Sequence, residues 1–173
     1  MKCLSVTLIT LLLAFRIQAA EIAVYFSPKG GCTEAIVSSL NRAKSTVLVA
    51  AYSFTSAPIA KALVDAKKRG VSVIAILDDS NQTDKYSAAT FLSNAGIKTM
   101  IDASHQIQHN KFMVVDSAVV ITGSFNFSKA AEDGNAENLL VIADPQLAAK
   151  YKINWSEHLK HARPYVRKSV AGR

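Results

Sequence analysis

The feature that most restricts this chain is an alternation of two hydrophobic periods between residues 22 and 102. The β-branched, apolar runs IAVYFS (22–27), TVLVAAYSF (46–54), VSVIAILDD (71–79) and IKTMID (97–102) read as strands. Between them, TEAIVSSLNRAK (33–44), SAPIAKALVDAKKRG (56–70) and YSAATFLSNAG (86–96) carry apolar residues at helical spacing. Thr33 is placed as the first N-cap, Ser56 or Ala57 precedes Pro58 at the second start, and Gly70 and Gly96 stop the second and third helices. Strands and helices in this order imply right-handed crossovers, and so an α/β domain with a mixed, largely parallel sheet and helices on both faces. Residues 109–126 add an antiparallel hairpin, ENLLVIAD (137–144) a further strand, and Pro145 opens a long helix through QLAAKYKINWSEHLKHA. No repeat, low-complexity tract or Pro/Gly-rich linker divides the 173 residues, and a hydrophobic fraction of 50% suffices for one core.

Part of that fraction lies at the start. Residues 1–20 begin with Lys2, run apolar from Leu4 to Phe15 and end in RIQAA, the pattern of a secretory signal peptide. The apolar run is too short to span a bilayer, which needs roughly 20 residues. A periplasmic or secreted domain, residues 21–173, without a stable membrane anchor is therefore expected. Losing Lys2 and Arg16 leaves 18 of 20 basic residues against 13 acidic ones, a net charge of about +5 that favours polyanions. Cys3 leaves with the signal, so Cys32 has no intrachain partner and is read as a free thiol.

The segment HNKFMVVDSAVVITGSFN (109–126) carries the chemistry. FMVV (112–115) and AVVIT (118–122) flank Asp116-Ser117, two turn-favouring residues. A two-residue loop would pair Val115 with Ala118, set Lys111 against Thr122 and His109 against Ser124. A four-residue loop would pair His109 with Asn126 and Lys111 with Ser124. Either way His109, Lys111, Ser124 and Asn126 share one face, whereas an odd loop would separate them. An imidazole that attacks or moves protons near neutral pH, with an ammonium, a hydroxyl and a carboxamide around it, cradles a tetrahedral oxyanion. Phosphoryl transfer is the reaction class that such a group suits, and it requires no hydride, radical or acyl cofactor.

The pattern H-x-K-x4-D-x6-G-S-x-N, filled here by His109, Lys111, Asp116, Gly123, Ser124 and Asn126, resembles the motif of the phospholipase D superfamily. The single copy, small size and export signal most resemble its small bacterial Nuc-type endonucleases. The resemblance implies that His109 attacks phosphorus to form a phosphohistidine, which water then hydrolyses. Lys111, Ser124 and Asn126 would hold the non-bridging oxygens, with no cofactor and no metal ion. It also implies a second histidine to protonate the leaving alcohol. One motif per chain then calls for a homodimer with the active site at its two-fold interface. The alternative is His105 acting as the acid in a monomer. Glu137 matches the place of the family's acidic residue downstream of G-S-x-N and would orient His109, the alternative being an exposed strand-end carboxylate. Asp116 lies roughly 23 Å from His109 along an extended strand and reads as structural, bonding backbone at the turn.

The remaining polar groups have plainer readings. Glu132 and Asp133 look like solvated loop residues. His158 and His161, at i, i+3, have metal-ligand spacing, as do His105 and His109. No acidic or cysteine cluster accompanies them in sequence, so they read as surface histidines near a helix C-terminus. DAKKRG (65–70) reads as a solvated helix end and RPYVRKSVAGR (163–173) as a frayed basic tail. YFSPKGG (25–31) lacks the G-K-[ST] of a phosphate loop. The expected function is metal-independent, non-specific hydrolysis of DNA phosphodiesters, with RNA left open as a second nucleic-acid substrate. The alternatives are a phospholipid or cardiolipin-type phosphodiesterase and a non-catalytic nucleic-acid-binding module.

Overall fold

A computed structural model describes residues 20–167; residues 1–19 and 168–173, and with them most of the expected signal peptide and the end of the basic tail, lie outside the described residues. The elements run β1 (Glu21–Ser27), α1 (Cys32–Arg42), β2 (Thr46–Ala51), α2 (Ala57–Lys68) and β3 (Ser72–Asp78). A 3-10 turn (Asp79–Gln82) leads to α3 (Ala89–Asn94), β4 (Lys98–Asp102), β5 (Lys111–Val115), β6 (Val119–Gly123) and α4 (Lys129–Asp133). β7 (Glu137–Ala143), α5 (Pro145–His161) and a two-residue β8 (Arg163–Pro164) complete the chain. The strands form one sheet in the order β1-β7-β6-β5-β2-β3-β4-β8.

The sheet is mixed, as expected, but not largely parallel. Among the described strands β2–β3 and β3–β4 run parallel and the other strand pairs antiparallel; an isolated bridge between Phe54 and Phe127 is also parallel. The parallel block extends only as far as the α2 and α3 crossovers, and the hairpin and β7 then wedge between β2 and β1. Helices do cover both faces. Ile36 and Leu40 of α1, Ile59 and Leu63 of α2 and Leu92 of α3 pack on Val47, Val49, Met113 and Ile121. On the opposite face Ala148 and Trp155 of α5 meet Leu48, Ala50, Phe112, Val114 and Val120. Trp155 also donates its indole N–H to the Val49 carbonyl at 2.9 Å, so its polar atom is satisfied in the core.

Local signals failed where a distant group took over their task. Gly31, in a left-handed conformation, is the N-cap of α1 rather than Thr33. The Glu132 carboxylate, expected in solvent, accepts from Thr33 N at 2.7 Å and Gly31 N at 3.3 Å and so caps α1 from α4. The helix expected over 86–96 is confined to Ala89–Asn94. The start of the basic tail is not frayed: β8 pairs with β4, and Tyr165 donates its backbone N–H to Thr99 O at 2.9 Å. Cys32 is a free thiol, as read, and completely buried. Burial, aided by the Glu132 charge, pushes it up to about 11, so it is an inert core group.

Candidate active site

The hairpin is assembled from its turn. Asp116 and Ser117 adopt positive φ, and Ala118 N donates to Val115 O at 3.0 Å, closing the turn around the expected pair. The ladder beyond it pairs Val115 with Val119 and Phe112 with Thr122, so Ala118 is an extra residue and the register is shifted by one. Neither expected even loop forms. The extra residue is held from outside the hairpin, its carbonyl accepting from Asp144 N at 2.9 Å. Asp116 behaves as the sequence reading required. Its carboxylate accepts from the backbone N–H groups of Lys44, Ser45 and Thr46 at 2.8–2.9 Å and from Ser45 Oγ at 2.9 Å. Burial alone would raise this carboxyl; the bonds from Thr46, Ser45 and Lys44 hold it below its ordinary value.

The shifted register changes how the polar residues meet. Along β5, Met113 and Val115 face α1 and α2, while Phe112 and Val114 face α5. Alternation therefore gives Lys111 the Met113 side, while Thr122 lies on the side that α5 occupies through Tyr151 Oη, 3.4 Å from Thr122 Oγ1. His109, Ser124 and Asn126 lie outside the ladder, so strand alternation assigns none of the three a face shared with Lys111. What the four share is one end of the sheet, where β5 begins, β6 ends and β7 begins. The chain leaves the ladder at Gly123, whose φ of 152° and close approach to β7 exclude a side chain. A Cβ there would stand 2.2 Å from the Asn138 carbonyl oxygen.

At that end Lys111 is 8% exposed, and its Nζ lies 2.9 Å from His109 Nδ1 and donates to His109 O at 2.6 Å. Burial lowers the Lys111 pKa, and the Glu137 charge partly offsets this. The imidazole itself is exposed and packs on Tyr52, ring centroids 4.7 Å apart; Lys111 Nζ lies 5.2 Å from the same ring's centroid. Tyr52 N donates to Asn110 O and Asn110 N to Gln108 Oε1, while Gln108 N donates to the Asp78 carboxylate. Ser124 Oγ accepts from Asn138 N at 3.0 Å and from Asn138 Nδ2 at 3.4 Å, which leaves the hydroxyl hydrogen to donate elsewhere. Asn126 Oδ1 is buried without a hydrogen-bond partner, a situation that costs roughly 1–3 kcal/mol.

Glu137 does not bond His109 within this chain. It accepts from Asn135 Nδ2 at 3.1 Å, and the Nδ1 side of the imidazole is taken by Lys111. An ammonium donating to Nδ1 puts the neutral ring's proton on Nε2. If Nε2 were the attacking atom, the opposite tautomer would be needed and Lys111 would have to leave Nδ1.

Sequence reading missed two residues at this end, Tyr52 and Asn138, and a separate cluster around Asp102. Asp102, at the end of β4, is fully buried and within hydrogen-bonding distance of His105, His158 and His161. The histidines of α5 thus have an acidic neighbour after all, and are not free surface groups at a helix end. Against burial, which raises it, the bonds from His158, Ser104 and His161 hold the Asp102 carboxyl low. His105 is engaged here rather than beside His109.

Residues 36–159 match the family model described as cardiolipin synthase, PLD-like domain. Among solved structures, the chain is similar to the phospholipase D family member Nuc of Salmonella typhimurium. The TM-score is 0.82 at 40% identity, covering 85% of this chain and 99% of that one. NucT of Helicobacter pylori aligns with a TM-score of 0.79 at 25% identity, covering 85% and 100%. A Rickettsia bellii protein named phospholipase D is 40% identical over 140 residues, 81% of this chain and 70% of its own length.

Proposed function

The chain belongs to the PLD-like domain family, as a phosphodiesterase of the phospholipase D superfamily, and we propose that its substrate is the phosphodiester backbone of DNA. The observation that carries the reading is the exposed His109 imidazole 2.9 Å from a buried lysine ammonium at the open end of the sheet. His109 Nε2 attacks phosphorus, the alkoxide leaves, and a phosphohistidine forms; water then attacks that phosphorus and regenerates the imidazole. Lys111, the Ser124 hydroxyl and the Asn126 carboxamide neutralise the non-bridging oxygens, work that a divalent ion does elsewhere. The basic balance of the sequence suits a nucleic-acid backbone, and similarity to Nuc and NucT over nearly their whole lengths supports the same choice.

The leaving oxygen needs a proton donor beside His109. His105 is held by Asp102, which favours His109 of a second copy across a two-fold axis. Edge strand β1 supplies a fitting surface. Ile22, Val24 and Phe26 alternate onto one face and are 55%, 50% and 65% exposed. In such a dimer Glu137 accepts from the Nδ1–H of His109 once Lys111 has turned to the phosphate.

The test is plasmid nicking by the processed protein in excess EDTA, with His109→Ala in parallel. Nicking by the parent alone supports the reading. Nicking by both removes His109 from the mechanism. A phospholipid substrate is the second reading, favoured by the name of the Rickettsia relative. Headgroup release from phosphatidylcholine or cardiolipin vesicles, with no nicking, would establish it instead.

A further inference from the structure

Away from His109, three imidazoles converge on one carboxylate. His158 and His161, at i, i+3 in the last turn of α5, occupy one helix face. That face meets the end of β4, where Asp102 is completely buried, and the loop that follows it, which carries His105. His158 Nδ1 lies 2.8 Å from Asp102 Oδ2, His161 Nε2 3.1 Å and His105 Nδ1 3.1 Å. The four donor atoms all lie within 4.8 Å of one another, and the rings stand 5.0, 5.2 and 5.7 Å apart by centroid.

A structural pin between a strand and a helix requires one such bond. His158 and His161 fill Oδ2, His105 Nδ1 lies between Oδ2 at 3.1 Å and Oδ1 at 3.3 Å, and Ser104 N takes Oδ1, so every acceptor site of the carboxylate is used. Protonating all three rings would also bring three cations to one anion. Three neutral imidazoles and one carboxylate are, in contrast, a complete donor set for a divalent ion of the zinc class. Zinc–nitrogen and zinc–oxygen bonds of about 2.0–2.2 Å put neighbouring tetrahedral donors about 3.3 Å apart. The contacts to Asp102 are already near that separation, and the ring nitrogens, within 4.8 Å of one another, would close by at most about 1.5 Å on binding. The buried carboxylate forms the floor. His105 and His161, with side chains 46% and 36% exposed, leave the outer side open for an ion to enter.

We propose that Asp102, His105, His158 and His161 form a divalent-metal site that clamps the loop bearing His109 to α5. Four protein ligands leave no open position, so the ion is structural rather than catalytic. Its effect reaches the active site through the chain. The clamp holds the loop at His105, while Gln108 fixes its far end to Asp78. On its outer side His158 Nε2 lies 3.5 Å from the side-chain nitrogen of Asn110, the residue between His109 and Lys111. With Nδ1 on an ion, the His158 ring proton sits on Nε2 and donates outward, so the Asn110 amide would have to present its oxygen rather than its nitrogen to keep this contact.

The experiment uses tag-free protein, stripped with chelator, dialysed and titrated with cobalt(II) followed by zinc. The parent is expected to take up one cobalt per chain with the visible absorption of a tetrahedral ion, and zinc to displace it. His109→Ala is expected to do the same, which separates this site from the proposed nucleophile. The double variant His105→Ala/His161→Ala, altered on the exposed side, is expected to lose the band and the zinc-dependent rise in melting temperature that the parent gives. If the double variant does not fold, His105→Ala alone is expected to weaken cobalt binding at least about tenfold, the usual loss with a ligand-set defect. A parent without the tetrahedral band, or variants that bind as the parent does, would overturn the proposal. Metal uptake does not depend on the identity of the substrate, so this result stands or falls separately from the nicking assay.

Discussion

The two ends of the β5–β6 hairpin carry residues of one sequence motif under opposite physical regimes. At the turn, Asp116 has four donors on its carboxylate and no unmet demand. At the open end, a lysine ammonium is buried against an imidazole, a carboxamide oxygen is buried without a partner, and a serine hydroxyl keeps its hydrogen. Satisfied polar groups hold a fold together; groups left partly unsatisfied at a known cost are held for something that binds. The same difference separates the expected consequences of mutation, since one end should fail in stability and the other in turnover.

The largest effect is expected at the nucleophile. His109→Ala should lower phosphodiester turnover by about 10⁴-fold or more, because the covalent route is removed outright. His109 is exposed, so the urea midpoint should remain that of the parent. A variant that lost stability along with turnover would erase the contrast between the two ends.

Lys111→Met should reduce turnover by about 10²–10³-fold, the usual loss of one transition-state donor. Its stability response has a defined sign. Burial lowers the folded-state pKa of Lys111, so between that value and the unfolded lysine's the unfolded chain binds the extra proton. The cost of burying the ammonium is present below the folded pKa and relieved as pH rises through it. Denaturation midpoints of the parent should therefore rise across that alkaline window relative to Lys111→Met.

Asp116→Asn should do the reverse. It is expected to cost about 2 kcal/mol of stability through mispaired backbone donors, with turnover per folded molecule within about twofold of the parent. The parent's carboxyl is held below its unfolded value of 3.8. It therefore adds stability above that pH, which is lost as pH falls through the folded pKa. Acid denaturation of the variant should lack this component.

Much of this division could be read from sequence, and the unread parts share a cause. The main strands and helices followed from hydrophobic period, Asp116 was assigned to the turn by its turn-favouring pair with Ser117, and the seven residues separating it from His109 ruled it out as that ring's partner. The hairpin register could not be read, since the extra residue Ala118 answers to Asp144 in the segment entering α5. The sheet order was hidden because β7, β6 and β5 enter between β1 and β2 through contacts that no local pattern encodes. The Asp102 cluster was hidden for the same reason, its members lying on β4, a loop and α5. His109 and Lys111 were legible because two residues in one strand segment bring the whole pair together; Ser124 and Asn126 reach the same end only because Gly123 lets the chain leave the ladder beside β7.

The smallest expected effect bears on whether the open end is complete in one chain. If each site needs His109 from two copies, mixing parent with His109→Ala under exchanging conditions should make activity follow the square of the parent fraction. An equal mixture would then retain about one quarter of the activity of the same total protein as parent, where independent chains would retain about one half. Charge substitution at Phe26 should move the assembly toward monomer in sedimentation and reduce turnover in parallel, because the exposed stripe on β1 would no longer be self-complementary. A linear mixing curve would mean that the proton donor lies within the chain. The imidazoles around Asp102 would then have to be tested as acids, and the contrast between a satisfied turn and an unfinished open end would narrow to the phosphate-binding groups alone.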